Sequence, residues 1–200
     1  MLNSLIAIGA STGGTDALLT FLAGLGGGVP PILMVQHMPK AYTAAFAERL
    51  DDLCKLTVRE AQDGDVARPG LALLAPGGQH MRVTRGGGQY HITLTDDAPV
   101  SRHKPSVDVL FRSTAQAAGR HGIGVILTGM GADGARGLKA MRDVGAKTFG
   151  QDAQSCVVYG MPRAAKQHGA VQVEAELSKL PALVQVAYHA PPSMQVTLPT

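Results

Sequence analysis

The stretch Ile6-Ala7-Ile8-Gly9-Ala10-Ser11-Thr12-Gly13-Gly14 constrains this chain more than any other. An unbroken apolar run ends in a cluster of small residues, and Thr15-Asp16-Ala17-Leu18-Leu19 then opens a helical pattern. A run that is apolar on both faces suits a buried strand, and a Gly-rich turn into a helix begins a β-α-β unit. Ser11 falls at the elbow, in a Gly9-x-Ser11-x-Gly13 spacing. Such an elbow lifts a serine hydroxyl clear of the sheet, and the helix N-terminus behind it favours developing negative charge. The same turn also suits a phosphate cradle, in which Ser11 would be a helix cap or a ligand.

The following segments repeat this rhythm. A helix over residues 15–25 precedes a buried strand at 32–36, a helix at 42–54 and a strand at 56–60. The pattern predicts a parallel sheet with helices on both faces. The middle of the chain differs. A strand at 70–75 is followed by segments 81–84 and 89–94, which alternate in polarity around Arg85-Gly86-Gly87-Gly88 and read as an antiparallel hairpin on the sheet edge. After Pro105 the α/β pattern resumes: helix 107–118, strand 122–128, helix 135–144, strand 146–149, helical segments at 155–159 and 163–168, strand 170–173 and helix 177–188. The expected fold is three-layer α/β/α with a mostly parallel, Rossmann-like sheet and a β-hairpin at one edge. Residues 1–190 form one domain, and 191–200 a loose tail.

Composition excludes several classes. A length of 200 residues suits one domain with a sizeable core, which the scarcity of aromatics and absence of Trp make aliphatic. A net charge of +3, with no basic run or interleaved aromatics, argues against nucleic-acid binding. No apolar stretch is long enough to span or insert into a membrane, and no signal-peptide pattern precedes the first strand. Cys54 and Cys156 lie in neither a disulfide framework nor a metal-binding spacing, which favours a reducing cytoplasm.

In a parallel sheet, ligands bind beyond the carboxyl ends of the strands. Ser11, His37 and Asp133 each follow a predicted strand at that edge. They have the chemistry of a nucleophile, its base and the carboxylate that orients the base. Asp133 has a plainer use as a helix cap or turn residue, but it lies in a loop, Gly129-x-Gly131-x-x-Gly134-x-x-Gly137, whose backbone N–H groups can face a ligand. His80, His91, His121, His168 and His189 have no comparable setting.

Gly9-Ala10-Ser11-Thr12-Gly13-Gly14, Val35-Gln36-His37-Met38-Pro39, Arg102-His103-Lys104-Pro105-Ser106-Val107-Asp108, Leu127-Thr128-Gly129-Met130-Gly131-Ala132-Asp133-Gly134 and Val158-Tyr159-Gly160-Met161-Pro162 together resemble the motifs of the CheB-type chemotaxis protein-glutamate methylesterases. The resemblance covers the catalytic domain from about Leu5 to Tyr188. It implies a cytoplasmic serine hydrolase that removes methyl esters from glutamates on the cytoplasmic helices of methyl-accepting chemoreceptors, releasing methanol, and that can deamidate receptor glutamines. The family's Ser, His and Asp match Ser11, His37 and Asp133. No cofactor or metal is implied. Backbone N–H groups at Thr12 and Met130 are the candidates for the oxyanion hole. Arg102 and His103 lie in a polar loop that the resemblance makes a rim of the substrate cleft.

Two departures accompany the resemblance. Family members usually carry an N-terminal receiver domain, whereas this sequence opens three residues before its first predicted strand. The expectation is therefore no receiver within the chain, an open and constitutively active edge, and a separate receiver-domain protein as a further partner. Gln151-Asp152-Ala153-Gln154 has alanine where an acidic residue is expected at 153. The rival to the hydrolase is a nucleotide- or phosphate-binding module. It is disfavoured by the absence of G-x-x-x-x-G-K-[ST], and by His37 standing where an acidic ribose partner would end strand two.

Overall fold

Alternate residues of the apolar strands go to opposite faces, and two separate cores result. Ile6, Ile8 and Ala10 join one cluster while Leu5 and Ala7 join the other; Ile32 and Met34 part from Leu33 and Val35 in the same way. The computed structural model describes residues 4–189. In chain order the elements are β1 (Leu5–Ala10), α1 (Gly14–Ala23), β2 (Ile32–Gln36), α2 (Lys40–Leu53), β3 (Thr57–Glu60), β4 (Val66–Ala67), β5 (Leu71–Leu74), β6 (His80–Gly86), β7 (Gln89–Thr95), α3 (Val107–Ala118), β8 (Gly122–Ile126), α4 (Ala135–Asp143), β9 (Lys147–Gln151), α5 (Met161–Gln167), β10 (Val173–Ala175) and α6 (Leu180–His189).

Seven strands form one sheet in the order β10-β9-β8-β1-β2-β5-β3, with every pairing parallel. Helices α1, α2 and α6 cover one face through Phe21, Leu22, Leu50 and Val184. Helices α3, α4 and α5 cover the other through Phe111, Leu138 and Ala165. Burying each large aliphatic side chain contributes about 1.5–3 kcal/mol, which explains why β1, β2, β5 and β8, buried along their whole length, carry no polar residue but Gln36. From β1 the chain works outward to β3 at one edge and back to β5. It then crosses to β8 on the far side of β1. The strand order therefore reverses around β1, and the carboxyl ends of β2, β1 and β8 border the crevice where open α/β sheets bind ligands.

The hairpin forms over β6 and β7, in a sheet of its own. A short strand that the sequence did not suggest, β4, pairs with β7, giving the order β4-β7-β6. Met81, Val83, Tyr90 and Ile92 join the core around α3, so the small sheet is held by packing on that helix and not by pairing with the large sheet.

Two expectations need correction. Residues 155–159 are not helical. Ser155 N–H and Oγ–H both bond Asp152 Oδ1, at 2.9 and 2.6 Å. Val158 N–H donates to Thr128 Oγ1 and its carbonyl accepts Gly129 N–H. The nearby Asp152 side chain and the long-range partners of Val158 occupy the groups a helical turn would need. The last strand begins at Val173 and not at Ala170, because Ala170 N–H is still bonded to Ala165 O of α5. The expected loose tail at 191–200 lies outside the described residues.

Candidate active site

Ser11 and His37 are set side by side by strand register. The β1–β2 ladder pairs Ala10 with Gln36, and His37 N–H still donates to Ala10 O at 3.2 Å. The next step along both strands is Ser11 opposite His37. On its other flank Ser11 N–H donates to Thr128 O beyond β8, at 3.0 Å. The turn then bends sharply through Gly13, whose φ of 77° is a left-handed conformation natural to glycine. A Cβ there would also lie 2.5 Å from Val157 Cβ.

Asp133 reaches the site from the loop between β8 and α4. It is buried, and its two oxygens accept four hydrogen bonds. Oδ1 accepts from Ser106 Oγ–H at 2.8 Å and Asp108 N–H at 3.0 Å. Oδ2 accepts from Val107 N–H at 2.7 Å and His37 Nε2–H at 2.8 Å. Val107 and Asp108 open α3, so Asp133 caps the N-terminus of α3 and not that of its own helix. Burial pushes its carboxyl up, but the His37 bond, the two backbone N–H groups and the Ser106 hydroxyl outweigh it and hold it below the usual carboxylate range. An ionised Asp133 only accepts, so His37 Nε2 carries the proton. Nδ1, buried and without a hydrogen-bond partner among the described residues, is left as the basic nitrogen.

The region around Ser11 is less filled. No hydrogen bond joins Ser11 Oγ to another group among the described residues, and Thr12 N–H and Met130 N–H also lack an internal acceptor. Catalytic bonds of this kind often tighten only once substrate is bound. Gly129 packs directly on the serine: a Cβ at 129 would fall 2.8 Å from Ser11 Cβ and 2.3 Å from Met161 Sδ. Met130 and Val157 stand exposed beside this loop, at 68% and 70% accessibility, as apolar groups at the mouth of the crevice.

Across 179 of its residues, positions 6–184, the chain matches the family model described as CheB methylesterase. It belongs to the CheB methylesterase family. It is 55% identical over 182 residues to a protein of Hahella chejuensis named protein-glutamate methylesterase/protein-glutamine glutaminase 2, covering 91% of this chain and 50% of that one. A Dechloromonas aromatica protein of the same name is 54% identical over 182 residues, again 91% of this chain and 51% of that one. The chain thus spans about half the length of these curated relatives. The crystal structure of the Thermotoga maritima CheB methylesterase catalytic domain superposes with a TM-score of 0.88 at 34% identity, covering 90% of this chain and 96% of that one.

Within this CheB-family fold, sequence reasoning missed the residues that hold the site together. Gln36 donates through Nε2 to the carbonyls of Ser11 at 2.9 Å and His37 at 3.3 Å, tying one to the other. Ser106 braces Asp133. Gln151 Oε1 accepts Thr128 N–H at 2.8 Å, while Thr128 Oγ1–H donates to Thr12 O at 3.0 Å, linking the β9 end to the elbow. A polar residue ending a buried apolar strand was the available signal for Gln36, whereas β9 is already polar at Lys147 and Thr148 and gave no such signal for Gln151. Arg102 is exposed on the rim and makes no hydrogen bond or ion pair among the described residues, whereas His103 is stacked on His37. His80 is fully buried between Ser106 N–H and Ala98 O and serves the loop scaffold.

His37, His103 and Asp133 each place a potential ligand atom within 4.8 Å of the others. They do not fit a metal ion. The two imidazoles are parallel, so their in-plane lone pairs lie in separate planes and do not converge. Both Asp133 oxygens are already occupied by N–H and O–H donors.

Proposed function

We propose that residues 1–190 act as a methylesterase catalytic domain that hydrolyses glutamyl methyl esters on the cytoplasmic helices of methyl-accepting chemoreceptors, releasing methanol. By the same chemistry it deamidates receptor glutamines, releasing ammonia. The observation that carries this reading is His37, bonded through Nε2 to a buried carboxylate and left with Nδ1 unpartnered beside Ser11. Serine hydroxyls are weak nucleophiles at neutral pH and need such a base.

Ser11 Oγ attacks the ester carbonyl while His37 Nδ1 takes its proton. The new imidazolium is stabilised by Asp133, and the tetrahedral oxyanion is met by Thr12 and Met130 N–H. Collapse expels methanol, which takes the proton from His37 and leaves a Ser11 acyl ester. A water activated by His37 then hydrolyses that ester, restoring Ser11 and a glutamate carboxylate. Each oxyanion donor contributes about 10²–10³ in rate. Arg102, exposed and with no acidic partner among the described residues, would meet acidic side chains beside the ester. Among the described residues no helix is long and apolar enough to cross a membrane, in keeping with a catalytic domain that meets receptors on their cytoplasmic side. A separate receiver-domain protein is the regulatory partner proposed.

A serine-directed fluorophosphonate separates this reading from a phosphate cradle. Covalent labelling in wild type and none in Ser11→Ala supports the hydrolase. Absence of labelling in both, with phosphate binding retained, supports the cradle.

A further inference from the structure

Among the described residues the His37 ring has a single in-plane hydrogen bond, to Asp133, and one bond leaves a ring free to swing about it. The face of His103 lies against that ring. The two imidazoles stack with centroids 3.8 Å apart and planes only 6° from parallel. His103 is itself firmly held. Its backbone pairs with Val100 through N–H···O bonds of 2.9 and 3.1 Å, closing a tight turn over Ser101 and Arg102. Both turn residues have left-handed φ, 52° and 66°, a conformation that non-glycine side chains adopt only when the surroundings impose it. Ser101 Oγ–H reaches Asp108 Oδ2 at 3.3 Å, and Asp108 Oδ1 accepts Gly137 N–H at 2.7 Å, which anchors the turn to α3 and α4. Ser101 O accepts His103 Nδ1–H at 2.7 Å and so fixes the second imidazole as well.

We infer that His103 is a positioning residue for the general base, holding the His37 ring at the angle that keeps Nδ1 available to Ser11. This rests on the esterase reading above and changes the part expected of His103, from a substrate contact on the rim to a brace behind the base. Burial, and then the neighbouring His37, keep His103 below the usual histidine range. It therefore presents a neutral aromatic face to the imidazolium that forms on His37.

Two variants separate the stack from the side-chain hydrogen bond. His103→Phe keeps a flat ring against His37 and loses the donor to Ser101, while His103→Gln keeps a donor and loses the ring. The readouts are kcat and KM for methanol release from a methylated receptor fragment, and the ¹⁵N shifts of His37, which report its tautomer without any turnover. The expected result is a fall in kcat of about 10- to 10²-fold for His103→Gln with KM little changed, since misplacement by about 1 Å can cost 10². His103→Phe recovers most of that loss. The His37 shifts are expected to mark a fixed Nε2–H tautomer in wild type and His103→Phe, and an averaged tautomer in His103→Gln. Wild-type kcat and a fixed tautomer in His103→Gln would overturn the proposal. So would a raised KM at unchanged kcat, which marks a substrate contact. If wild type releases no methanol the esterase reading fails, and the ¹⁵N shifts still decide the role of His103.

Discussion

The two halves of the site are built in opposite ways. Around Asp133 every acceptor is used: two oxygens take four donors from two separate chain segments, His37 and residues 106–108, inside a buried pocket. Around Ser11 its hydroxyl, His37 Nδ1 and the Thr12 and Met130 N–H groups, the proposed nucleophile, base and oxyanion donors, have no partner among the described residues. In the proposed mechanism the saturated half orients and the unsatisfied half reacts. A buried carboxylate is tolerable only when its lone pairs are filled. A nucleophile and an oxyanion hole must instead keep their capacity for substrate. The same contrast places Asp133 at the start of α3, where it would serve stability and the proposed chemistry together, while the Ser11 hydroxyl would serve the chemistry alone.

The sharpest way to break that contrast is Asp133→Asn. Loss of the orienting carboxylate is expected to lower kcat about 10⁴-fold, as for other catalytic triads. It also leaves α3 N–H groups facing an amide, so stability falls by about 1–3 kcal/mol; urea melts of this variant and of Ser11→Ala, which should match wild type, check the point. Gly129→Ala attacks the open half. Its Cβ has no room between Ser11 Cβ and Met161 Sδ. The expected loss is about 10²-fold in fluorophosphonate labelling rate, with about 1–3 kcal/mol of overpacking strain.

Acid tests the saturated half without mutation. Asp133 has a folded pKa below its unfolded value of about 3.9. Its contribution to stability is therefore fully present above that unfolded value and is lost as pH falls through the folded one. The stability gap between wild type and Asp133→Asn, measured by denaturant titration, is expected to be constant above about pH 5 and to narrow below about pH 4. The smallest effect belongs to the rim. Arg102→Ala is expected to raise KM for a receptor fragment several-fold, more at low salt than at high salt, because an exposed charge acts mainly through screened attraction.

Much of the fold was legible because both sheet faces are buried. The runs that became β1, β2 and β8 are apolar on both faces, and glycine marks the turn from β1 into α1. Ser11, His37 and Asp133 were legible as polar residues just past buried strands, and the motif resemblance supplied the family. What escaped depends on partners distant in sequence. Strand β4 is only two residues, defined by its pairing with Tyr90 and His91. Residues 155–159 carry a helix-like pattern, yet Val158 is committed to Thr128 and Gly129. Asp133 reads locally as a cap for α4 and in fact caps α3. The stacking of His103 on His37 joins residues 66 positions apart, with no local sign of the contact.

The most direct measurement is methanol release from methylated chemoreceptor membranes, comparing wild type with Ser11→Ala. Release by wild type and none above background from Ser11→Ala is the expected result, since Ser11 is the proposed nucleophile. Equal release by both proteins would contradict a Ser11 mechanism, whatever the geometry around His37 and Asp133.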